Sequence, residues 1–109
     1  MDITVSQDGR FTLVALRGVL DALTAPELEE KNQQIVDNGA TIVILDLSAM
    51  EFISSAGLRV FLSLAKALRK TGGEIRFAGL QEAIREVFAI SGFTKMFAVF
   101  PDAATAAKD

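Results

Sequence analysis

The chain has 109 residues, a net charge of −3, and neither cysteine nor histidine. Its length is that of one domain, and an apolar content of 50% places it far from the disordered class of proteins. The missing residue types exclude disulfides, thiolate metal sites, Ser-His dyads and the usual zinc shells, and the lack of a basic stripe argues against nucleic-acid binding.

The first predicted elements form a β-hairpin. Ile3 and Val5 alternate with polar residues, and Asp8-Gly9 separates this run from the apolar segment 11–16. Alternation indicates an exposed edge strand, whereas the second segment has the composition of a more buried one.

A helix is predicted to begin shortly after Asp21. Thr24 is the expected N-cap, and Glu27, three residues later, would complete a capping box with it. Leu23 would then pack against Leu28 as a hydrophobic staple.

The next predicted element is a strand, Ile42 to Leu45, which is continuous and rich in β-branched residues. This pattern is typical of a central strand covered by helices on both faces. Ser54-Ser55 open the helix that follows, after a short loop. Its packed stripe is predicted at helical spacing and consists of Leu58, Phe61, Leu62, Ala65 and Leu68.

The remaining pattern adds a strand at 74–78, a helix at 81–91 with Gly92 as its C-cap, and a last strand at 97–100. Pro101 indicates the first turn of a short terminal helix. Strands alternating with helices after a hairpin predict the α/β class, with about four helices in a single domain, residues 1–109.

No apolar run approaches the roughly 18 to 20 residues that span a bilayer, and no basic-then-apolar segment begins the chain. We therefore expect a cytoplasmic protein with no membrane insertion. The hydrophobic composition favours a protein partner over nucleic acid.

Ser54 and Ser55 are the candidate functional residues. The first N–H groups of a helix have no internal partner and carry partial positive charge, so a phosphate on Ser55 would be well placed. A serine in a first helical turn is more often a capping residue, a role we assign to Ser54. Ala56 and Gly57 are small and would leave the helix start uncrowded.

Two aspartates have two interpretations each. Asp21 is either a turn residue or a partner contact, and Asp46 either caps the loop at Ser48 or lies near the serine acceptor. Nothing in their spacing demands a metal site or an acid/base pair. We predict no catalytic residue, cofactor or metal.

The segment Ile42–Arg59, IVILDLSAMEFISSAGLR, resembles the signature of the STAS domain, the family of bacterial anti-sigma factor antagonists. The similarity continues upstream in Gly18–Asp21 and downstream in Gly72–Ile75 and Phe88–Phe93. The resemblance implies a STAS fold with a mixed, mostly parallel sheet. Val19 departs from the acidic residue usual in the upstream turn.

By this resemblance, Ser55 is the phosphorylation site and Ser54 the second choice, since Ser54 replaces an aspartate common before the acceptor. The unphosphorylated form would bind an anti-sigma factor that is also a serine kinase, and a PP2C-type phosphatase would restore that form. The predicted partner-binding residues are Asp21, Thr24, Ser54, Ala56, Gly57 and Arg59.

Two other functions remain open from the sequence. STAS-like domains also occur as scaffold subunits of stress-signalling complexes and of lipid transporters. A serine or nucleotide hydrolase is disfavoured, because the chain has no histidine and no phosphate-binding loop.

Overall fold

The computed structural model describes residues 1–108, which form five strands and five helices. In chain order they are β1 (Asp2–Asp8), β2 (Phe11–Leu20), α1 (Ala25–Asp37), β3 (Ile42–Ile53), α2 (Ser55–Arg69), β4 (Glu74–Ala78), α3 (Glu82–Ser91), α4 (Phe93–Met96), β5 (Ala98–Phe100) and α5 (Ala103–Ala106).

The strands form one mixed sheet in the order β1-β2-β3-β4-β5. β1 pairs with β2 in the antiparallel direction, and the other three pairings are parallel. The α/β class, the edge hairpin and the central place of β3 are therefore confirmed. The helix count exceeds the expected four by α4, a four-residue helix directly after Gly92 that the sequence pattern does not predict.

The larger core lies on one face of the sheet, under the long helices. Its centre is a cluster of aromatic rings, in which Phe77 of β4 lies 5.1 Å from Phe61 of α2 and 4.9 Å from Phe88 of α3, centroid to centroid. All three rings are fully buried. This packing determines how α2 lies across the sheet.

A smaller core lies on the opposite face, under α5. Phe11, Ile42, Ile44 and Ala78 are buried there together with Ala106 of α5. The prediction that β3 is covered on both faces is therefore confirmed, with a single turn of helix as the second cover.

Arg76 of β4 holds α5 in place. Its guanidinium donates hydrogen bonds to the carbonyls of Ala106 at 2.7 Å and Lys108 at 3.1 Å. The same group lies over the rings of Phe11 and Phe100, at 5.4 and 5.9 Å from their centroids. The Arg76 side chain thus links α5 and Lys108 to the sheet.

Several predicted boundaries are wrong. β3 continues to Ile53, where a loop was expected, because β2 remains paired with it despite two irregularities in register. In the α2 stripe, Leu62 is 38% exposed, whereas Val60 and Leu64 are buried. α5 begins at Ala103 and not at Pro101.

Other local predictions are confirmed. β4 spans the expected residues, and Gly92 ends α3 in the left-handed conformation, with φ of 84°. None of the helices within residues 1–108 is long and apolar enough to cross a membrane.

Candidate functional site

The sheet brings two separate segments of the predicted site together. β2 and β3 run in parallel and end side by side, with Leu20 opposite Ile53. The N–H of Ser54 donates to the carbonyl of Leu20 at 3.0 Å. The turn after β2, which contains Asp21 and Thr24, therefore adjoins the start of α2.

Ser54 and Ser55 differ in their exposure. Ser54 is the N-cap of α2, as predicted, but its hydroxyl oxygen is buried and has no hydrogen-bond partner in the described part of the chain. The prediction that this hydroxyl caps helical N–H groups is wrong. Ser55 is exposed, so it is the serine that solvent can reach.

The electrostatic potential at the N-terminus of α2 favours the binding of an anion. The helix is 15 residues long, has no acidic residue in its first turn, and carries basic residues in its last turn. The partial positive charge of its N-terminus is therefore not neutralised by its own side chains.

Gly57 does not belong to the open surface. It is buried, and a Cβ at this position would lie 2.7 Å from Cγ of Leu20 and 2.8 Å from Cγ1 of Ile53. The expectation that Gly57 leaves room for a partner is wrong. Its missing side chain lets α2 approach the ends of β2 and β3.

The turn before α1 is built differently from the predicted capping box. The carboxylate of Asp21 accepts hydrogen bonds from the N–H groups of Leu23 at 3.0 Å and Thr24 at 3.2 Å. The Thr24 hydroxyl donates to the carbonyl of Val19 at 2.9 Å and makes no helix-capping bond. Asp21 is therefore a turn residue, and Thr24 ties the turn back to β2.

Three large apolar side chains are exposed at this end of the sheet. Val19 of β2 is 37% exposed and lies opposite Phe52 of β3, which is 53% exposed. Leu23 is 90% exposed, so the predicted staple with Leu28 is wrong. We call Val19, Leu23 and Phe52 the apolar rim.

The sequence identified only Val19 of the apolar rim, as a departure from a family pattern. The sequence pattern places Leu23 in a staple with Leu28 and Phe52 in a loop, and it predicts exposure for neither side chain as part of a binding surface. Local spacing does not reveal which apolar side chains remain uncovered, because that depends on where neighbouring elements end.

Arg59 and Ala56 face a second feature, a groove of about 510 Å³ between α1 and α2. Asp46 lies elsewhere, and its carboxylate accepts a hydrogen bond from the N–H of Ser48 at 3.0 Å. This is the first of its two predicted roles. Within residues 1–108, no group of three or more histidine, cysteine or acidic side chains is placed to hold a metal ion.

Comparison with known proteins agrees with this arrangement. The family model described as "STAS domain" matches residues 2–106. The chain belongs to the STAS domain family. Its fold places the family signature at the end of β3 and the start of α2.

Its sequence is similar to those of several anti-sigma factor antagonists. It is 41% identical over 99 residues to BtrV of Bordetella bronchiseptica, provisionally named an anti-sigma factor antagonist, covering 91% of this chain and 85% of that one. It is 30% identical over 100 residues to the anti-sigma-F factor antagonist RsfB of Mycobacterium tuberculosis, covering 90% and 80% of the two chains.

Solved structures share the fold. An anti-sigma factor antagonist from Mycobacterium paratuberculosis, 28% identical, superposes with a TM-score of 0.88 over 99% of this chain and 94% of that one. The Bacillus cell fate determinant SpoIIAA in its phosphorylated form, 20% identical, gives a TM-score of 0.77 over 96% of each chain.

Proposed function

We propose that this protein is an anti-sigma factor antagonist controlled by phosphorylation of Ser55. In the unphosphorylated state it binds an anti-sigma factor that is also a serine kinase, and binding releases the sigma factor. The protein is the kinase's substrate and not itself a catalyst. Because the phosphate donor is ATP, the protein acts in the cytoplasm.

The difference between the two serines carries the proposal. Ser55 is exposed at the N-terminus of a long helix, whereas the Ser54 hydroxyl is covered. A kinase must bring the hydroxyl oxygen in line with the γ-phosphorus of ATP. The Ser55 oxygen then forms the new P–O bond, ADP leaves, and the hydroxyl proton passes to a base of the kinase.

The phosphate is compatible with the fold. It adds about −1.5 to −2 charge, and an anion at an exposed helix N-terminus is favourable by roughly 0.3 to 2 kcal/mol. We therefore expect the phosphorylated protein to stay folded, so that the switch acts on binding.

The apolar rim explains how the phosphate would weaken binding. Val19, Leu23 and Phe52 lie at the same end of the sheet as Ser55 and offer apolar surface to a partner. A dianion beside a surface that is desolvated on binding would cost several kcal/mol, or more than a hundredfold in affinity.

The names of the relatives support this function. BtrV and RsfB are named as anti-sigma factor antagonists, and SpoIIAA, which shares the fold, has been solved in unphosphorylated and phosphorylated forms. The complete partner set we propose is the anti-sigma factor kinase and a PP2C-type phosphatase. Asp21, Thr24, Ala56 and Arg59 would flank the phosphorylation site in the complex.

Phosphosite mass spectrometry on the protein from its native cells tests the acceptor. We expect phosphate on Ser55, its loss in Ser55→Ala, and its persistence in Ser54→Ala, because the Ser54 hydroxyl is not available to a kinase. Phosphate on Ser54 in the folded wild-type protein would contradict this assignment.

A binding assay tests the switch separately. Ser55→Asp should reduce capture of the anti-sigma factor kinase, whereas the uncharged Ser55→Asn, of similar size, should retain most of it. Circular dichroism should be native-like for both variants. Equal affinity of the two variants and the wild type would refute control by charge at Ser55.

A further inference from the structure

The groove between α1 and α2 has the size of a small-molecule site. Its volume is about 510 Å³, within the range of roughly 300 to 1,000 Å³ that ligand pockets occupy. Apolar side chains line much of it, among them Ala25, Val36, Val60 and Leu64. Its two charged lining residues, Glu29 and Arg59, have opposite sign, so the lining carries no net charge. Both helices that form it are long elements packed on the main core.

A buried amide that has no hydrogen-bond partner in the described part of the chain lies beneath the surface of the groove. Asn32 of α1 lines the groove and is 6% exposed. Neither its Oδ1 nor its Nδ2 has a hydrogen-bond partner among residues 1–108. An unsatisfied buried polar group is costly, and such groups in native proteins usually have a specific role.

An apolar side chain at position 32 would avoid the cost of an unsatisfied buried amide, because the neighbouring buried residues are apolar. Ala25, Leu28 and Ile35, the other buried residues of α1, are all aliphatic. A leucine at position 32 would continue that stripe without any polar atom to satisfy. The asparagine is therefore unfavourable for the isolated fold, which suggests that it serves binding.

We propose that the groove binds a small uncharged molecule that carries a primary carboxamide or lactam group on an apolar body. A carboxamide side chain offers a donor and an acceptor side by side, and an amide in the reciprocal orientation satisfies both together while staying uncharged at neutral pH. The apolar body of the ligand would lie against the aliphatic lining of the groove.

The polar atoms of Asn32 are covered in the free protein, so the side chain must rotate to meet the ligand. Rotation breaks no hydrogen bond, because neither atom makes one. The ligand would then supply the two hydrogen bonds that the fold leaves unmade. This proposal does not depend on the phosphorylation of Ser55, and its test does not involve the kinase.

Titration of the full-length protein with benzamide, followed by ¹⁵N NMR, tests the site. We expect shifts of the Asn32 side-chain NH₂ signals and of the backbone amides of Val60 and Leu64. Acetophenone has the same ring and carbonyl but no N–H donor. It should bind about tenfold more weakly, because it leaves the Asn32 oxygen unpaired.

Two variants separate binding from structure. Asn32→Leu should abolish the preference for benzamide while raising the melting temperature. Gln34→Leu, at an exposed position on the same helix, should retain the benzamide shifts and the preference over acetophenone. Benzamide shifts confined to other surfaces, equal affinity for the two compounds, or no binding up to the solubility limit of benzamide would each overturn the proposal. The wild-type comparison of the two compounds stands even if Asn32→Leu fails to fold.

Discussion

Replacing Gly57 by alanine places two known effects in opposition. In the interior of a helix, alanine is more stable than glycine by about 1 kcal/mol, and a smaller gain applies to Gly57, the third residue of α2. At this position, however, the new Cβ would lie 2.7 Å from Cγ of Leu20 and 2.8 Å from Cγ1 of Ile53. Leu20 is fully buried and Ile53 is 4% exposed, so neither can move aside freely.

Overpacking of a well-packed core costs about 1 to 3 kcal/mol. Because two buried side chains are affected at once, we expect a cost near the top of that range and a net destabilisation of about 1 to 2 kcal/mol. This corresponds to a melting temperature lower by roughly 5 to 10 °C for a chain of this size. The start of α2, which carries Ser55, would move away from the sheet.

Urea denaturation followed by circular dichroism measures the effect. Ser63→Ala, at an exposed position in the same helix, is the matched control and should raise stability by about 0.5 kcal/mol or less. In a Leu20→Ala background two of the three close contacts are removed and only that with Cγ1 of Ile53 remains, so Gly57→Ala should cost less than in the wild type. An increase in stability in the wild-type background, as helix propensity alone predicts, would refute the packing argument.

Two further predictions concern α5. Arg76→Met keeps an apolar stem near the aromatic rings but loses the hydrogen bonds to the carbonyls of Ala106 and Lys108 and the ion pair with Glu74. The Glu74 side chain is 52% exposed, so the ion pair contributes little. Arg76→Met should lower the free energy of unfolding by about 1 to 2 kcal/mol, whereas Arg69→Met, at an exposed position, should change it little; equal losses in urea denaturation would contradict the role of Arg76. Hydrogen bonds from the Thr105 side chain and backbone N–H hold the pKa of the Asp102 carboxyl below its ordinary value, so its stabilising effect is complete above that ordinary value and is lost as the pH falls through the lowered pKa. The NMR shift of the Thr105 amide should therefore titrate with a midpoint below the ordinary aspartate pKa in the wild type and not at all in Asp102→Ala, and a midpoint at or above the ordinary value would count against the cap.

Much of the fold follows from local sequence. The β-branched run of β3, the alternation in β1 and the glycine that ends α3 each indicate an element from its own residues. These predictions hold because backbone preferences and side-chain periodicity act over a few residues. The family signature likewise places Ser54-Ser55 at a helix start, where the structure has them.

The start of α1 shows where local rules fail. The sequence has a well-formed capping box, yet the Thr24 hydroxyl bonds to Val19 and Asp21 satisfies the N–H groups of the turn. Leu23 is exposed instead of packed. The choice among these partners depends on the end of β2, which lies outside the motif.

The sequence alone determined the order of elements, the mixed sheet and the pair of serines at the start of α2. Tertiary structure decided which serine is covered, why Gly57 must be small, that Val19, Leu23 and Phe52 remain exposed, and that Asn32 has no hydrogen-bond partner among residues 1–108. Each of these properties arises where elements distant in the chain meet. Periodicity and capping rules describe a residue's own helix or strand, whereas burial and hydrogen bonding depend on what the rest of the fold places against it.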